Sequence, residues 1–276
     1  MDKLNKDELF LIFTKLDVKS LANFSLCNKK LRENYLRDDI WYYKLQDYPD
    51  FKRLKVKDFS LIKLYYTLEC LNVLYTDLDL EEDIYEIYEM EKLDLSGKHL
   101  PFLPKEISIL ENLRKLNLSD NDLSILPKEI FRLKNLQELD LGNNLLTEIP
   151  QEIENLQGLK DLDLDGNKLD AIPISLCNLK NLIVLNMYNN NITTIPKELG
   201  KLENLKSLNL GKNNLKTIPT ELAQLKNLKA LYLPSNFLLD IPEELSNITT
   251  LRFIYLHNNP SIKIPDKIRN LVLMNL

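Results

Sequence analysis

From Met90 onward the apolar and polar positions recur with a fixed period. Leu113, Leu136, Leu159, Leu182, Leu205, Leu228 and Leu251 follow one another at a constant interval without an insertion, and the register extends back to Met90. Each unit reads L-x-x-L-x-L-x-x-N-x-L-x-x-I-P-x-x-I-x-x-L-x-x, as in Leu136-Gln-Glu-Leu139-Asp-Leu141-Gly-Asn-Asn144-Leu-Leu146. Counted from the first residue of a unit, the apolar positions +3 and +5 alternate with polar ones. That is the period of a short strand burying one face. One unit cannot bury its apolar side alone, but a stack of eight can, so residues 90–273 are expected to form a repeat solenoid.

The turn after each strand carries its own signal. Position +8 is Asn121, Asn144, Asn167, Asn190, Asn213, Asn236 and Asn259, with Lys98 as the exception in the first unit. An asparagine has two donors and an acceptor on a short side chain, enough to satisfy backbone groups left unpaired at the turn and on the adjoining coil. These residues are expected to be a structural ladder, not a site. Position +14 is Pro104, Pro127, Pro150, Pro173, Pro196, Pro219, Pro242 and Pro265. Proline ends extended pairing, and its fixed φ suits the first position of a short helical turn. Apolar side chains at +17 and +20, such as Ile130 and Leu133, then return that segment to the core.

If +3 and +5 point inward, then +2, +4 and +6 point out, with +7 at the strand's exit. Repeats two to four display Asp120, Glu138, Asp140, Asp161, Asp163 and Asp165 there, beside Asn117, Gly142 and Asn143. Repeats five to eight display Tyr188, Tyr232, Phe253, Tyr255 and His257, beside Val184, Asn186 and Asn209. Neighbouring strands lie about 4.8 Å apart, so Asp140 falls beside Asp163 and the two charges repel unless a cation or a basic partner neutralises them. The acidic half either takes a basic ligand segment or merely keeps an open sheet soluble. Exposed aromatic rings in a row point to an interface. Calcium on Asp140 and Asp163 would lack the further oxygens it needs, so no metal and no cofactor is expected.

The N-terminal stretch up to Gln46 has a different texture. Leu9, Ile12, Phe13 and Leu16 mark one stripe of an amphipathic helix that Asn5 or Asp7 can cap. A second helical run carries Leu21, Phe24, Ser25, Cys27 and Leu31, and a third spans Ile40-Trp41 to Leu45. Phe59, Leu61, Ile62, Leu64, Tyr65 and Leu68 predict one longer helix, and the acidic run Asp77 to Glu91 carries Leu80, Ile84, Ile87 and Tyr88 in an amphipathic pattern that could cover the first repeat's edge.

Charge and chemistry narrow the function. A net charge of -5 supplies no basic stripe for phosphates, so the expected partner is a protein rather than nucleic acid or an anionic membrane. The charged start Met1 to Glu8 lacks the apolar run of a secretory signal, which predicts a cytoplasmic protein. Cys27, Cys70 and Cys177 are odd in number and without CxxC spacing, which fits reduced thiols. The two histidines, His99 and His257, fall in the first and eighth repeats, so seven strand steps separate them by more than about 30 Å. No phosphate loop, nucleophile elbow or H-E-x-x-H pair occurs, and no enzyme is expected.

The 23-residue unit with its I-P step resembles the leucine-rich repeat family. That resemblance implies an α/β solenoid with parallel strands on a concave, protein-binding face and short helical segments on the convex side. Leu4-Asn5-Lys-Asp-Glu8-Leu9 through Ile12-Phe13 and Leu16-Asp17, then Leu21 through Ser25-Leu26-Cys27 to Leu31, then Asp38-Asp39-Ile40-Trp41, resembles an F-box, departing from it at Asn5, Cys27 and Leu31. The resemblance implies a small all-α domain over residues 1–48, a helical linker and cap over 49–89, and the repeats over 90–276. It also implies docking of Leu4, Leu9, Ile12, Phe13, Leu21 and Trp41 onto the Skp-type adaptor of a cullin–RING ubiquitin ligase. The continuation Ile40-Trp41-Tyr-Tyr-Lys-Leu-Gln-Asp-Tyr-Pro49 resembles F-box proteins of large DNA viruses, which implies the host cytoplasm. A generic helical cap on a scaffold stands as the other reading of the N-terminal segment.

Overall fold

The computed structural model describes residues 71, 73–80 and 83–273. The chain divides into two units, residues 1–88 and 89–276. In the first, residues 73–77 are helical, and the spacing of Leu71, Leu74 and Leu78 puts three buried leucines on one helical face. Helix α1, Ile84–Glu89, follows with Ile87 buried. The F-box-like residues 4–46 and the helix expected around Phe59 to Leu68 lie outside the described residues. Among the described residues no helix is long and apolar enough to cross a membrane.

The second unit is built on a nine-stranded parallel sheet whose strands follow one another in chain order. They are β1 Lys92–Asp94, β2 Lys115–Asn117, β3 Glu138–Asp140, β4 Asp161–Asp163, β5 Val184–Asn186, β6 Ser207–Asn209, β7 Ala230–Tyr232, β8 Phe253–Tyr255 and β9 Val272–Leu273. From β1 to β8 each residue pairs with the one a full repeat away, as Leu139 does with Leu162. Positions +3 and +5 are buried throughout these repeats, from Leu93 and Leu95 to Ile254 and Leu256, so the alternation places the core where the sequence pattern puts it. The regular strand spans only +2 to +4. The ninth strand departs from the period: Ile254 pairs with Val272, a step shorter than one repeat, because Asp266–Leu271 leads directly into β9.

On the opposite side each repeat carries a 3₁₀ segment, from Lys105–Ile109 and Lys128–Arg132 to Asp266–Leu271. The +14 prolines precede these segments as N-caps and are not their first helical residues. Pro127, for instance, is extended at φ -66 and ψ 136, and its carbonyl accepts the Ile130 N–H. The expected place of the proline is thereby shifted by one position. Proline still suits the site, since an N-cap N–H is not needed by the turn it opens. The side chains at +17, such as Ile130 and Ile153, are fully buried beneath the segment.

The seven +8 asparagines are buried, and all make the same bonds. Asn167 Nδ2 donates to the carbonyls of Leu141, Leu164 and Asp165, while its Oδ1 accepts the Leu146 N–H. Leu141 and Leu146 belong to the preceding coil, so the ladder ties each coil backward. A second ladder runs below it, with Asn135, Asn181, Asn204 and Asn227 donating to Glu111, Gln157, Lys180 and Glu203 carbonyls at 2.8–2.9 Å. Gly158 interrupts that second series at the corresponding position.

Candidate functional site

The exposed side of the sheet is shaped by two features of the strand exit. At +4 an Asx side chain turns back on its own backbone: Asp94, Asn117, Asp140, Asp163, Asn186 and Asn209 each accept the N–H two positions on, at 2.9–3.2 Å. This is the Asx-turn that short polar side chains favour. At +7 the backbone is left-handed in every repeat, at Gly97, Asp120, Asn143, Gly166, Asn189, Lys212, Ser235 and Asn258. Six of those eight are Gly, Asn or Asp, the residues that bear positive φ at least cost. Both regularities were readable as composition at fixed positions, and pattern reasoning on hydrophobicity alone misses them.

The acidic half comes together as expected. Glu138 pairs across the sheet with Asp161, and Asp140 with Asp163. Asp140 and Asp163 are half-buried and serve the backbone as well as the face: one carboxylate oxygen of each caps the turn. Asn186 donates to the other Asp163 oxygen at 3.0 Å. Asp165 lies over Gly142, where a Cβ would collide with the Asp165 carboxylate. Burial, then the Asp163 charge and a hydrogen bond with Asp163, push the Asp165 carboxyl up to about 6. Burial also raises Asp140, with the Gly142 N–H opposing and the Asp163 charge adding. Asp161 is raised by burial and by Glu138, against the pull of Lys115 and Lys160. Lys115 is itself bridged to Glu138. Asp120, exposed at its left-handed position, adds its charge to those that raise Asp140 and Asp165. Among the described residues no lysine or arginine forms an ion pair with Asp140, Asp163 or Asp165.

The aromatic half gathers at the other end. Tyr232 and Tyr255 are register partners, and their rings stack at 4.6 Å with an interplanar angle of 9°. Phe253, opposite Ala230, packs its ring 6.3 Å from Tyr255 and remains 46% exposed. Tyr188 is exposed on β5's exit, three strand steps before β8, so the rings form a cluster of three and an outlier rather than one continuous row. His257 follows β8, half-buried, with Nδ1 buried and without a hydrogen-bond partner among the described residues. Val184, Asn186, Ser207 and Asn209 fill the interval without charge.

No group of three or more His, Cys, Asp or Glu side chains is arranged to hold a metal ion among the described residues. Cys177 is buried, and burial pushes its thiol up to about 11. It is therefore a packed thiol on the 3₁₀ side, not a nucleophile. Leu4, Leu9, Ile12, Phe13, Leu21 and Trp41, the expected adaptor contacts, lie outside the described residues.

Residues 89–146 match a leucine rich repeat model and residues 135–233 a leucine-rich repeat region. Both matches fall within the repeats and neither reaches the F-box-like residues. A leucine-rich repeat protein of Leptospira interrogans is 39% identical over 68% of this chain and 49% of its own, with a TM-score of 0.63. The plant peptide hormone receptor RGFR1, solved in complex with RGF2, is 38% identical over 63% of this chain and 30% of its own, with a TM-score of 0.56. Internalin C2 of Listeria monocytogenes is 27% identical over 75% of this chain and 92% of its own, with a TM-score of 0.64. The chain thus spans half or less of the first two proteins. No curated protein matches it.

Proposed function

This chain is a leucine-rich repeat protein, and on that premise we propose that it is a non-catalytic substrate-recognition subunit of a Skp/cullin/F-box ubiquitin ligase in the cytoplasm. The exposed sheet face holds a target protein, and Leu4, Leu9, Ile12, Phe13, Leu21 and Trp41 dock the adaptor. The observation that carries target recognition is the cluster of Tyr232, Phe253 and Tyr255. Rings held by a rigid sheet offer large contact area at low entropic cost, which is the character of an interface anchor. A peptide hormone receptor solved with its ligand, among the similar structures, supports a protein or peptide partner. Support for the adaptor half comes from the sequence, where the Leu9, Ile12, Phe13 and Leu16 stripe and the Ile40-Trp41 step stand at F-box spacing.

The test is co-elution of the full chain with a purified Skp-type adaptor, with Leu9→Asp and Ile12→Asp as controls. A stable complex that both substitutions abolish is the expected result. Absence of binding at micromolar concentration by a chain whose repeats are folded would end the ligase reading and leave a repeat scaffold.

A further inference from the structure

We infer that the exposed sheet face takes an extended, positively charged segment of its protein partner. Basic side chains lie on the carboxylates of β3 and β4, and a large apolar side chain further along the same segment lies on the rings of β7 and β8. The inference rests on this face being the target surface and adds the chemistry and spacing of the ligand.

Charge complementarity selects the occupant. Two adjacent strands display Glu138, Asp140, Asp161, Asp163 and Asp165, and the one lysine paired there, Lys115, is committed to Glu138. Half-buried carboxylates one strand spacing apart repel, and a cation that desolvates against them removes the repulsion. Three ligating groups do not converge for a metal ion among the described residues. A guanidinium or ammonium on a flexible stem, which needs no closed coordination shell, fits the row better. The Asx-turns leave each of Asp140 and Asp163 one oxygen that the backbone does not use, and that of Asp163 already accepts one hydrogen bond from Asn186.

The aromatic cluster fixes the other end of the ligand. From β4 to β7 is three strand steps and from β4 to β8 four, or about 14–19 Å at strand spacing. An extended peptide advances about 3.3 Å per residue, so roughly four to six residues bridge the interval. Val184, Asn186, Ser207 and Asn209 line the strands of that stretch with small, uncharged side chains, and the Tyr188 ring lies at its edge over Gly211, where it adds apolar contact to a passing segment.

Asparagine substitution isolates the charge. Asn117, Asn186 and Asn209 already occupy the turn position with their carbonyl oxygen as acceptor, so Asp140→Asn and Asp163→Asn keep the turn and remove the charge, the latter together with the hydrogen bond from Asn186. The experiment titrates full-length chain into fluorescein-labelled peptides carrying an Arg-Arg pair and a Trp separated by two, five or eight Gly/Ser residues. A random dodecapeptide display library is panned in parallel. The expected result is tightest binding at the five-residue spacing, weakened at least about tenfold by the Asp140→Asn/Asp163→Asn/Asp165→Asn variant and by Tyr232→Ser/Phe253→Ser. Equal affinity at all spacings, or affinity that the triple-asparagine variant retains, overturns the inference. Panned peptides without basic residues that still lose binding in Tyr232→Ser/Phe253→Ser overturn it while leaving the target face standing. If no designed or panned peptide binds the face, both readings fall.

Discussion

Replacing Asn190 by alanine removes the central rung of the buried ladder, and the hydrogen bonds around it set the size of the effect. Its Nδ2 donates to the carbonyls of Leu164, Met187 and Tyr188 at 2.9, 3.3 and 3.2 Å, and its Oδ1 accepts the Leu169 N–H at 3.0 Å. The three carbonyls keep other donors: Asn167 still donates to Leu164, Asn213 to Met187 and the Gly166 N–H to Tyr188. The Leu169 N–H loses its acceptor inside the stack. One abandoned buried donor costs about 1–3 kcal/mol, and the weakened carbonyl bonds bring the total to about 2–4 kcal/mol. Aspartate at the same place separates hydrogen bonding from packing. It keeps the acceptor for Leu169 and nearly the same volume, but turns a donor into a carboxylate oxygen facing three carbonyls. Asn190→Asp should therefore be less stable than Asn190→Ala at pH 7 and recover part of the loss on acidification, as the carboxyl is forced to hold its proton. Urea unfolding followed by circular dichroism gives the stabilities, and hydrogen exchange at Leu169 reports the orphaned amide. An alanine variant that loses less than about 1 kcal/mol, or an aspartate variant as stable as alanine at pH 7, would refute the argument.

Gly158→Asn should raise stability by about 1 kcal/mol in the same assay, by restoring the rung toward the Lys134 carbonyl and restricting the unfolded chain. Its Cβ would sit 3.2 Å from the Lys134 and Leu136 carbonyls, so a loss instead would mean that those carbonyls cannot give way. Lys212 is left-handed at φ 52, and Lys212→Asn should stabilise by about 0.5–1 kcal/mol without touching the sheet face. Asp165 holds its proton up to about 6 in the folded chain against an ordinary 3.8. The contribution of this one group to stability is thus fully present below pH 3.8 and is lost as pH rises through 6. Because the group is partly solvated the swing should be only about 1 kcal/mol, and Asp165→Asn should flatten it between pH 4 and pH 7 in thermal melts. Tyr232→Asn should lower stability, since the new side chain loses the Tyr255 stack and finds no N–H on Pro234 to cap.

The repeat was legible because a single spacing organises the whole unit: every coil has the same length, identical positions stack, and any insertion would have shifted every leucine off the core. Asn144 could be assigned to the ladder because no other residue type offers two donors and an acceptor on so short a stem. Position +4 was harder. Asp140 and Asp163 look like pure surface charge until the N–H groups of Gly142 and Asp165 are seen to need them. The ninth strand was invisible because the step from Ile254 to Val272 breaks the period that revealed the others. The aromatic cluster was visible as residues but not as geometry: alternation puts Tyr188, Tyr232, Phe253 and Tyr255 on one face, while only the sheet register shows that two stack and one stands apart.

The polarity of the face follows from how much structural duty each repeat imposes on +4. In six repeats that residue must be Asx, because the N–H two positions later has to be satisfied at the strand exit, and Asx leaves only a small polar or acidic surface. In the seventh repeat the residue two positions later is Pro234, which has no N–H to satisfy. The constraint on +4 disappears, and a tyrosine stands there without leaving a donor unpaired. Once Tyr232 occupies the site, a ring on its register partner gains a stacking surface, and Tyr255 supplies one at 4.6 Å. At +4 the choice between Asx and tyrosine therefore follows one backbone rule through the seventh repeat, while in the eighth Tyr255 stands before His257, which keeps its N–H, and the ring there answers to the stack on Tyr232 rather than to a proline. A recognition surface can change its chemistry from one end to the other in this way without any change in the coil beneath it.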